Sequence, residues 1–295
     1  MISIIICSAN SQLLTKALAS IENTIGVAYE TIIIHNPNAK LGICEAYNRG
    51  ANQAAFSILC FVHEDVTFET KGWGRNVIRH LADPSVGLIG VAGGDTKSRV
   101  PSSWSSSVFQ SEISIIQHFK FDALPPERII ETGYPDNYSL LKPAVCLDGV
   151  WLCTRKDVFA ECPFDETLFK GFHGYDIDLS LQVFMKYKVG VVFDVLLHHY
   201  SEGRYDRIWL HNMMLVSRKW KSLLPLTVRD LSTEELKNQH WVCIQVCLDY
   251  FLQLNYKVPV ILFYYVTYTA NRFFCANRFW FYLRYILLPA RRENG

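Results

Sequence analysis

Along the N-terminal third of the chain, short apolar runs alternate with segments of helical periodicity, and this alternation is the feature that most constrains the fold. The apolar runs predict strands at residues 2–7, 29–35, 57–62 and 86–91. Helical segments are predicted after Asn10, which suits an N-cap, and at residues 42–55 and 71–82. This order predicts a mostly parallel sheet with helices on both faces.

The rest of the chain is less regular. Residues 95–140 contain SRVPSSWSSS and ALPPERI, which predict loops and a hairpin folded over the sheet edge. Further strands are predicted at residues 144–153 and 189–197, and further helices at residues 155–159 and 174–186. Beyond these segments the pattern is helical and strongly aromatic.

Composition excludes several classes of protein. The net charge of +1 gives no overall field that would attract nucleic acid, so we expect no nucleic-acid partner. The nine cysteines lie mostly in apolar runs without paired zinc-ligand spacing, which favours buried thiols in a reducing cytosol. The first apolar run lacks the basic region and small-residue cleavage site of a signal peptide. We therefore expect a cytoplasmic protein.

Polar side chains follow several predicted strands. Ser8 and Asn36 lie at such strand ends, and His63-Glu64-Asp65 directly follows the apolar run at residues 57–62. Ligands of parallel α/β sheets bind beyond the carboxyl ends of the strands. The carboxylates of Glu64 and Asp65 are suited to a divalent cation that bridges diphosphate oxygens. The alternative is a charged turn that leaves a strand.

Four motifs, taken in order, resemble the family 2 glycosyltransferases with the GT-A fold. The resemblance is strongest to a bacterial subset with His-Asp/Glu-Asp in place of Asp-x-Asp. The matching residues are Ser8, Gly42…Ala46-Tyr47-Asn48-Arg49-Gly50, His63-Glu64-Asp65, and Phe164-Asp165-Glu166…Gly171…Tyr175-Asp176-Ile177-Asp178-Leu179. The resemblance implies a catalytic GT-A domain at residues 1–205, with a Rossmann-like central sheet, followed by a helical C-terminal region at residues 206–295.

The resemblance also implies a donor site and a metal site. The expected donor-binding residues are Ser8, Asn10, Asn36, Asn48, His63, Glu64 and Asp65. The expected ligands of Mn²⁺ or Mg²⁺ are Asp65, Glu64 and His199. Asn36 stands where the family commonly has an aspartate, and its amide can bond a uracil edge, so we expect a UDP-sugar. His199 is preferred over His198 by motif position, and a packed core histidine is the alternative.

Asp176 is the expected catalytic base. In the resemblance it takes the position of the acid that accepts the proton of the acceptor hydroxyl, and the family relationship implies inversion. The alternative is an acid that only stabilises a helix N-terminus. Asp178 is expected to pair with a base such as Arg155. The expected acceptor-side residues are Asp148, Gly149, Trp151 and Tyr175, although a glycine bulge would also explain Asp148-Gly149.

The C-terminal region interleaves aromatic and basic residues. Its longest uncharged run, residues 258–271, is shorter than the roughly 20 residues of a spanning helix. From Lys257 onward one acid, Glu293, stands against the arginines Arg272, Arg278, Arg284, Arg291 and Arg292. This pattern suits either a peripheral helix at the inner face of the cell membrane or helices packed on the catalytic domain or a second subunit.

Together these features predict a glycosyltransferase of polysaccharide biosynthesis. It is expected to move a sugar from a nucleotide-diphosphate sugar to a hydroxyl of a glycan or a lipid-linked oligosaccharide. The alternative is an inactive GT-A scaffold in a polysaccharide-assembly complex, motivated by the departures at Asn36, His63 and Tyr175. A nucleotidyltransferase is disfavoured, because no glycine-rich basic loop follows the first strand.

Overall fold

The computed structural model describes residues 1–119, 125–131 and 140–288. The helices of this part of the chain are α1 (Ser11–Thr24), α2 (Ile43–Gln53), α3 (Trp73–Leu81), α4 (Lys156–Glu161), α5 (Tyr175–Phe184), α6 (Arg207–Lys219), α7 (Thr233–Gln253), α8 (Val258–Thr269) and α9 (Ala276–Leu287). The strands are β1 (Ile2–Ser8), β2 (Tyr29–His35), β3 (Ile58–Val62), β4 (Val66–Phe68), β5 (Val86–Gly90), β6 (Ala92–Gly94), β7 (Thr96–Lys97), β8 (Ser111–Gln117), β9 (Glu127–Glu131), β10 (Leu141–Pro143), β11 (Cys146–Leu147), β12 (Trp151–Arg155), β13 (Lys188–Val192), β14 (Leu197–His199) and β15 (Leu226–Thr227).

The larger sheet has seven strands in the order β10-β13-β5-β12-β3-β1-β2. Strands β2, β1, β3, β5 and β13 run in one direction, and β12 and β10 run against them. Ile5 of β1 packs into one apolar cluster with α2 and α5, whereas Ile4 and Ile6 pack into another with α1 and α3. Both faces of the sheet are thus covered by helices, which confirms the predicted α/β class.

A second sheet joins β11, β6, β8, β14 and β4, with β9 paired to β8 as the predicted hairpin. The single strand predicted at residues 144–153 is wrong, because the chain crosses between sheets there. β11 pairs with β6 in the second sheet, and β12 pairs with β3 and β5 in the first. Between them Asp148 turns the chain, its Oδ1 accepting a bond from Val150 N at 2.8 Å.

The strand predicted at residues 189–197 is split in the same way. β13 belongs to the first sheet and β14 to the second. Asp194 lies between the two strands, and its carboxylate accepts bonds from Arg79 and from His80, the latter at 2.9 Å. These bonds hold the segment between β13 and β14 against α3. The cavity described below lies where the two sheets meet.

The C-terminal helices pack against the sheet domain. Trp209 of α6, Trp241 of α7, Ile261 of α8 and Ile286 of α9 belong to the same apolar cluster as Ile5. A capping box of Ser232 and Glu235 begins α7. Within residues 1–119, 125–131 and 140–288, no helix has both the length and the apolar character needed to span a bilayer. The predicted basic residues Arg291 and Arg292, with Glu293, lie outside the described residues.

Candidate active site

One cavity of 840 Å³ lies at the carboxyl ends of β1, β2 and β3, bounded by β8, the N-terminus of α5 and the loop after β14. Nine of the residues predicted for the site line it: Asn36, His63, Glu64, Asp65, Asp148, Gly149, Tyr175, Asp176 and His199. Four others are not among its lining residues: Ser8, Asn10, Asn48 and Trp151. Most residues of the sequence motifs therefore line one site, and the other four lie outside its lining.

Three side chains at this site present a possible set of metal ligands. One ligand atom each from His63, Asp65 and His199 lies within 4.8 Å of the other two. Asp65 Oδ1 is 4.0 Å from His63 Nδ1 and 3.8 Å from His199 Nε2. Two imidazoles and one carboxylate are a donor set that suits a divalent transition metal such as Mn²⁺.

Neighbouring side chains orient all three possible ligands. His63 Nε2 is hydrogen-bonded to Tyr175 Oη at 2.7 Å, and His199 Nδ1 to Gln117 Oε1 at 3.2 Å. Ser201 Oγ donates to Asp65 Oδ2 at 2.5 Å. With these contacts made, His63 Nδ1 and His199 Nε2 both lie within 4.0 Å of Asp65 Oδ1, and outer contacts of this kind orient the ligands of metal sites. The residues present therefore fit a divalent cation.

The charges at this group favour metal ligation as well. Burial lowers the pKa of His63, which keeps its imidazole neutral. Burial opposes ionisation of Asp65 too, but His63 and His199 beside it hold the pKa of this carboxyl below its ordinary value. Ligands must be deprotonated to bind a cation, and the shifts of the pKa of His63 and Asp65 both favour the deprotonated form.

Glu64 does not belong to the ligand group, contrary to the prediction. Its carboxylate accepts bonds from Ser8 Oγ at 2.8 Å and from the backbone N–H groups of Ala9 and Asn10, the shorter of each at 3.1 and 2.9 Å. The loop between β1 and α1 thus supplies the partners that a metal would otherwise provide. The Asn10 side chain caps α1 through Gln12 N and Leu13 N. Ser8 and Asn10 accordingly position Glu64 and the loop.

Asn36 and Asn48 hold loops at the two ends of the donor side. Asn36 donates from Nδ2 to Leu41 O and accepts at Oδ1 from Leu41 N, so part of its expected capacity for a base is already used. Because a carbonyl oxygen has two lone pairs, Oδ1 still has one for a ligand. Asn48 bonds Phe164 in both directions and Glu166 through Nδ2. It therefore positions the acceptor-side loop.

Trp151 lies in the core, contrary to its predicted acceptor role. It is fully buried and packs edge-on against Trp73, with ring centroids 6.1 Å apart. In β12 its side chain contributes to the apolar cluster on the α1 and α3 face of the sheet. Alternation of side chains along a strand explains this placement, because the register of β12 was not evident from the sequence.

Asp176 stands at the start of α5, where the chain enters the helix through Gly174. Gly174 has φ +85°, a left-handed conformation that favours glycine. Asp176 Oδ2 accepts a bond from Gly149 N at 3.2 Å. Burial raises the pKa of Asp176 to about 7, and the negative charge of Asp148 adds to the shift. A carboxylate with such a pKa is suited to act as a general base near neutral pH.

Gly149 allows the two halves of the site to approach closely. A Cβ atom at this position would lie 2.0 Å from Tyr175 Oη, so no larger residue fits without displacement. Tyr175 Oη in turn reaches His63. The side chain of Tyr175, the backbone of Gly149 and the carboxylate of Asp176 thereby connect the possible metal ligands to the candidate base.

Asp178 does not pair with Arg155, contrary to the prediction. Its carboxylate accepts bonds from Lys219 Nζ and Trp220 Nε1, each at 2.8 Å, which anchor α5 to the end of α6. Arg155 instead donates to backbone carbonyls, the shortest bond reaching Val86 O at 2.6 Å. Sequence alone did not indicate Lys219, because it lies 41 residues away in the helical C-terminal region.

The sequence also missed residues in the irregular segments. Gln117 orients His199, and Trp104 Nε1 donates to Asp148 Oδ2 at 2.7 Å. Both lie between residues 95 and 140, where no periodicity assigned them to an element. The lining of the cavity is also notably aromatic, through Phe172, Tyr205 and Trp209. In the sequence, only the concentration of Phe, Tyr and Trp near these positions indicated an aromatic lining.

Comparison with solved structures finds glycosyltransferases of the GT-A fold. The chain is similar to S. aureus TarS 1-349, with 12% identity over 92% of this chain and 82% of that chain and a TM-score of 0.50. It is similar to the mannosyltransferase PcManGT from Pyrobaculum calidifontis in complex with GDP-Man and Mn²⁺, with 13% identity over 99% of this chain and 86% of that chain and a TM-score of 0.51.

A third similar structure is GalNAc-T7 with UDP, GalNAc and Mn²⁺, with 12% identity, 86% of this chain covered and a TM-score of 0.52. The chain spans 58% of the length of that protein. No curated protein matches the chain. At these identities the similar structures define the class of fold, which is GT-A.

A sequence profile of the glycosyltransferase-like family matches residues 3–217. The chain therefore belongs to this family, and it is a glycosyltransferase, as its motifs predicted. The match runs past the predicted domain boundary at residues 205–206, and that boundary stays a prediction.

Proposed function

We propose that this glycosyltransferase moves a sugar from a nucleotide-diphosphate sugar, with a UDP-sugar as the expected donor, to a hydroxyl of a glycan or lipid-linked oligosaccharide. The observation that carries the proposal is one cavity that is lined both by the ligand group of His63, Asp65 and His199 and by Asp176. Two similar glycosyltransferase structures hold UDP or GDP-Man together with Mn²⁺, which supports a nucleotide-sugar donor.

On the donor side, the nucleotide is proposed to occupy the cavity at the ends of β1 and β2. Asn36 Oδ1 is available to its base, and Glu64, positioned by Ser8 and Asn10, fixes the loop beside it. His63, Asp65 and His199 would hold Mn²⁺ or Mg²⁺. When bound, such a cation offsets the negative charge that grows on the leaving diphosphate.

On the acceptor side, Asp176 is proposed as the general base. Its carboxylate accepts the proton of the acceptor hydroxyl while the hydroxyl oxygen attacks the anomeric carbon, and a single displacement inverts that centre. Gly149 N donates to Asp176 Oδ2 at 3.2 Å, and Asp176 lines the cavity, which is where an acceptor hydroxyl would reach its carboxylate. Asp148 and Tyr175 line the same wall and are proposed to contact the acceptor. The C-terminal helices are proposed to contact a membrane or a second subunit.

A donor-hydrolysis assay tests this proposal. The purified chain is incubated with UDP-sugars and GDP-mannose in Mn²⁺, Mg²⁺ or EDTA, and nucleotide release is measured. We expect slow release of UDP from a UDP-sugar that requires the metal. Calorimetry with UDP, with and without Mn²⁺, separates this function from an inactive scaffold. Absence of metal-dependent UDP or GDP affinity would overturn the proposal.

The role of Asp176 is tested with Asp176→Asn. Transfer to an acceptor should fall by about 100-fold or more, whereas UDP affinity should stay the same, because the donor side is intact. The matched control is Asp157→Asn, a change of an exposed acid on α4 outside the cavity. Near-normal turnover of Asp176→Asn would rule out its role as the base.

A further inference from the structure

The exposed apolar side chains of the C-terminal region form a surface that we call the α8–α9 face. Its members are Val258, Val260, Phe263, Val266, Phe274, Trp280, Phe281, Leu287 and Leu288. Phe263, Phe281 and Trp280 are 66%, 64% and 59% exposed. Large exposed apolar patches on soluble folds mark interaction surfaces.

The sequence of α9 arranges this surface as one continuous stripe. The stripe consists of Trp280, Phe281, Arg284 and Leu287 of α9 and of Leu288 at its C-cap. All five are exposed, and their spacing of i, i+1, i+4, i+7 and i+8 places them on one side of the helix. Such a stripe normally faces a protein core, but Ile286 is the fully buried side chain of α9. Trp280 and Phe281, by contrast, keep more than half of their surface exposed.

Helix α8 shows the same separation of two sides. Val260, Phe263 and Val266, three residues apart, are exposed, whereas Ile261, Tyr265 and Tyr268 are buried against the domain. The α8 sequence contains no charged residue. Both helices are therefore held to the protein by one apolar side and present a second apolar side outward.

The charge of this segment is of one sign. Residues 257–288 contain Lys257, Arg272, Arg278 and Arg284 and no Asp or Glu. Arg284 lies within the α9 stripe, between Phe281 and Leu287. A twofold dimer through this face would bring Arg284 of both copies into one interface, and like charges there oppose association. An anionic lipid surface complements the α8–α9 face, because its apolar residues can pack against acyl chains and its arginine can bind lipid phosphates.

The same segment lies next to the acceptor side of the cavity. Arg207 donates to the carbonyls of Leu254 and Asn255, in the turn that leads into α8, with distances of 2.6 to 2.8 Å. The residue before it, Asp206, lines the cavity, as does Tyr205. The ring of Tyr205 stacks on Tyr250 of α7 at 5.8 Å. The cavity wall and the start of α8 are therefore directly connected.

We infer that the α8–α9 face binds the surface of an anionic lipid bilayer and holds the cavity wall at Tyr205 and Asp206 beside that surface. Trp280 and Phe281 lie at the level of the headgroups, and Arg284 contacts lipid phosphates. The inference rests on the proposed function only in that a lipid-linked acceptor would reach the cavity from this surface. Lipid binding itself is independent of transfer.

Vesicle flotation with the full chain tests this inference. The vesicles are phosphatidylcholine alone, or phosphatidylcholine with a quarter of phosphatidylglycerol, at low and high salt. We expect flotation with the anionic vesicles, weaker flotation with the neutral ones, and partial loss at high salt because surface charge is screened. Equal and weak recovery with both vesicles would overturn the inference.

Variants locate the binding surface. The double variant Trp280→Ser/Phe281→Ser should weaken partitioning onto anionic vesicles by about tenfold or more, because two apolar side chains leave the interface. Arg284→Glu should weaken it as well. The matched control is Met185→Ser/Leu223→Ser, which removes two exposed apolar side chains elsewhere, 45% and 43% exposed. Equal flotation of the double variant and the control would contradict the inference.

Two further measurements separate the competing outcomes. A concentration-dependent dimer that dissociates in Trp280→Ser/Phe281→Ser, without vesicle binding, would assign the face to a second copy and overturn the lipid assignment. UDP release in solution should be the same in this variant as in the unchanged protein. If the protein binds vesicles but does not hydrolyse a nucleotide sugar, the lipid-binding inference is supported and the proposed function fails.

Discussion

Two carboxylates of the cavity wall differ in how their oxygens are satisfied. Asp148 accepts bonds of 2.7 Å from Trp104 Nε1 and 2.8 Å from Val150 N, whereas Asp176 accepts a longer bond of 3.2 Å from Gly149 N. Burial and the charge of Asp148 raise the pKa of Asp176 to about 7. Neighbouring acids in unlike environments commonly divide the roles of a site in this way.

The pH profile of transfer should report this environment. kcat/KM should rise with pH through a midpoint near 7, because Asp176 must be ionised to accept a proton. Asp148→Asn removes a neighbouring negative charge and should move the midpoint about one pH unit lower. The control Asp157→Asn, on α4, should leave the midpoint in place. A profile of Asp148→Asn identical to that of the unchanged protein would exclude the coupling.

The pH dependence of the free energy of unfolding should also reflect the ionisation of Asp176. The folded pKa of Asp176 lies above its ordinary value of 3.8, so its contribution to stability is complete below that pH and is lost as pH rises through about 7. Asp176→Asn removes this loss. The free energy of unfolding of the variant, relative to the unchanged protein, should increase by about 2 kcal/mol between pH 5 and pH 8. Denaturant titrations at both pH values measure it, and a pH-independent difference would contradict the assignment.

At the residue scale, the sequence predicted the location of the site better than the partners within it. Asp65 and His199 were expected as metal ligands and His63 as a donor-binding residue, and the structure brings these three side chains together. Glu64 was expected among them because neighbouring acids are equivalent in a sequence. Its orientation depends on the N–H group of Ala9, which is 55 residues away along the chain and comes close only after folding.

At the scale of elements, the turn between β11 and β12 is decisive for the site. It carries Asp148 and Gly149 into the cavity and moves the chain from one sheet to the other. The sequence indicated a single strand here, because apolar residues flank the turn on both sides. The bond from Val150 N to Asp148 Oδ1, which makes the turn, leaves no signal in hydrophobic periodicity.

Gly149 should therefore be intolerant of a side chain. Gly149→Ala places Cβ 2.0 Å from Tyr175 Oη, and the resulting displacement should cost about 1–3 kcal/mol of stability and most of the transfer activity. Gly171→Ala is the matched control, since a Cβ atom at Gly171 meets nothing within 4 Å. Thermal unfolding of both variants measures the difference. Equal melting temperatures would show that the Tyr175 ring moves freely.

At the scale of the whole molecule, one apolar cluster extends from the sheet to the last helix. Trp241 of α7 is fully buried in it and donates to Phe273 O at 2.9 Å, whereas Trp280 of α9 is exposed. The aromatic composition predicted helices here, but it did not distinguish buried rings from exposed ones. That distinction depends on how α7, α8 and α9 pack together, which no local pattern encodes.

The two tryptophans provide a matched pair of substitutions. Trp241→Ala should lower the free energy of unfolding by about 3–5 kcal/mol, because it leaves a cavity in the core. Trp280→Ala should change it by about 0.5 kcal/mol or less, because its ring already contacts solvent. Denaturant unfolding of both variants measures the contrast. A large loss in Trp280→Ala would mean that α9 packs differently.

The order of strands in the larger sheet could not be predicted from the sequence either. The alternation of strands and helices predicted a mostly parallel sheet, but it did not indicate that β12 would lie antiparallel between β3 and β5. Its partner β3 lies about 90 residues upstream, with Cys153 opposite Cys60 at a separation of 93 residues, and its partner β5 lies about 60 residues upstream. Pairing over such separations is decided by tertiary packing and not by local propensity.

The crossing of the chain between sheets also bears on how the enzyme matures. His63 follows β3 of the first sheet and His199 ends β14 of the second, so the ligand group is assembled only after both sheets have joined. Contacts across such long sequence separations form slowly and late. During refolding, metal-dependent nucleotide affinity should therefore appear after helical circular dichroism has recovered, and a nucleotide can serve as a sensor of the completed native state.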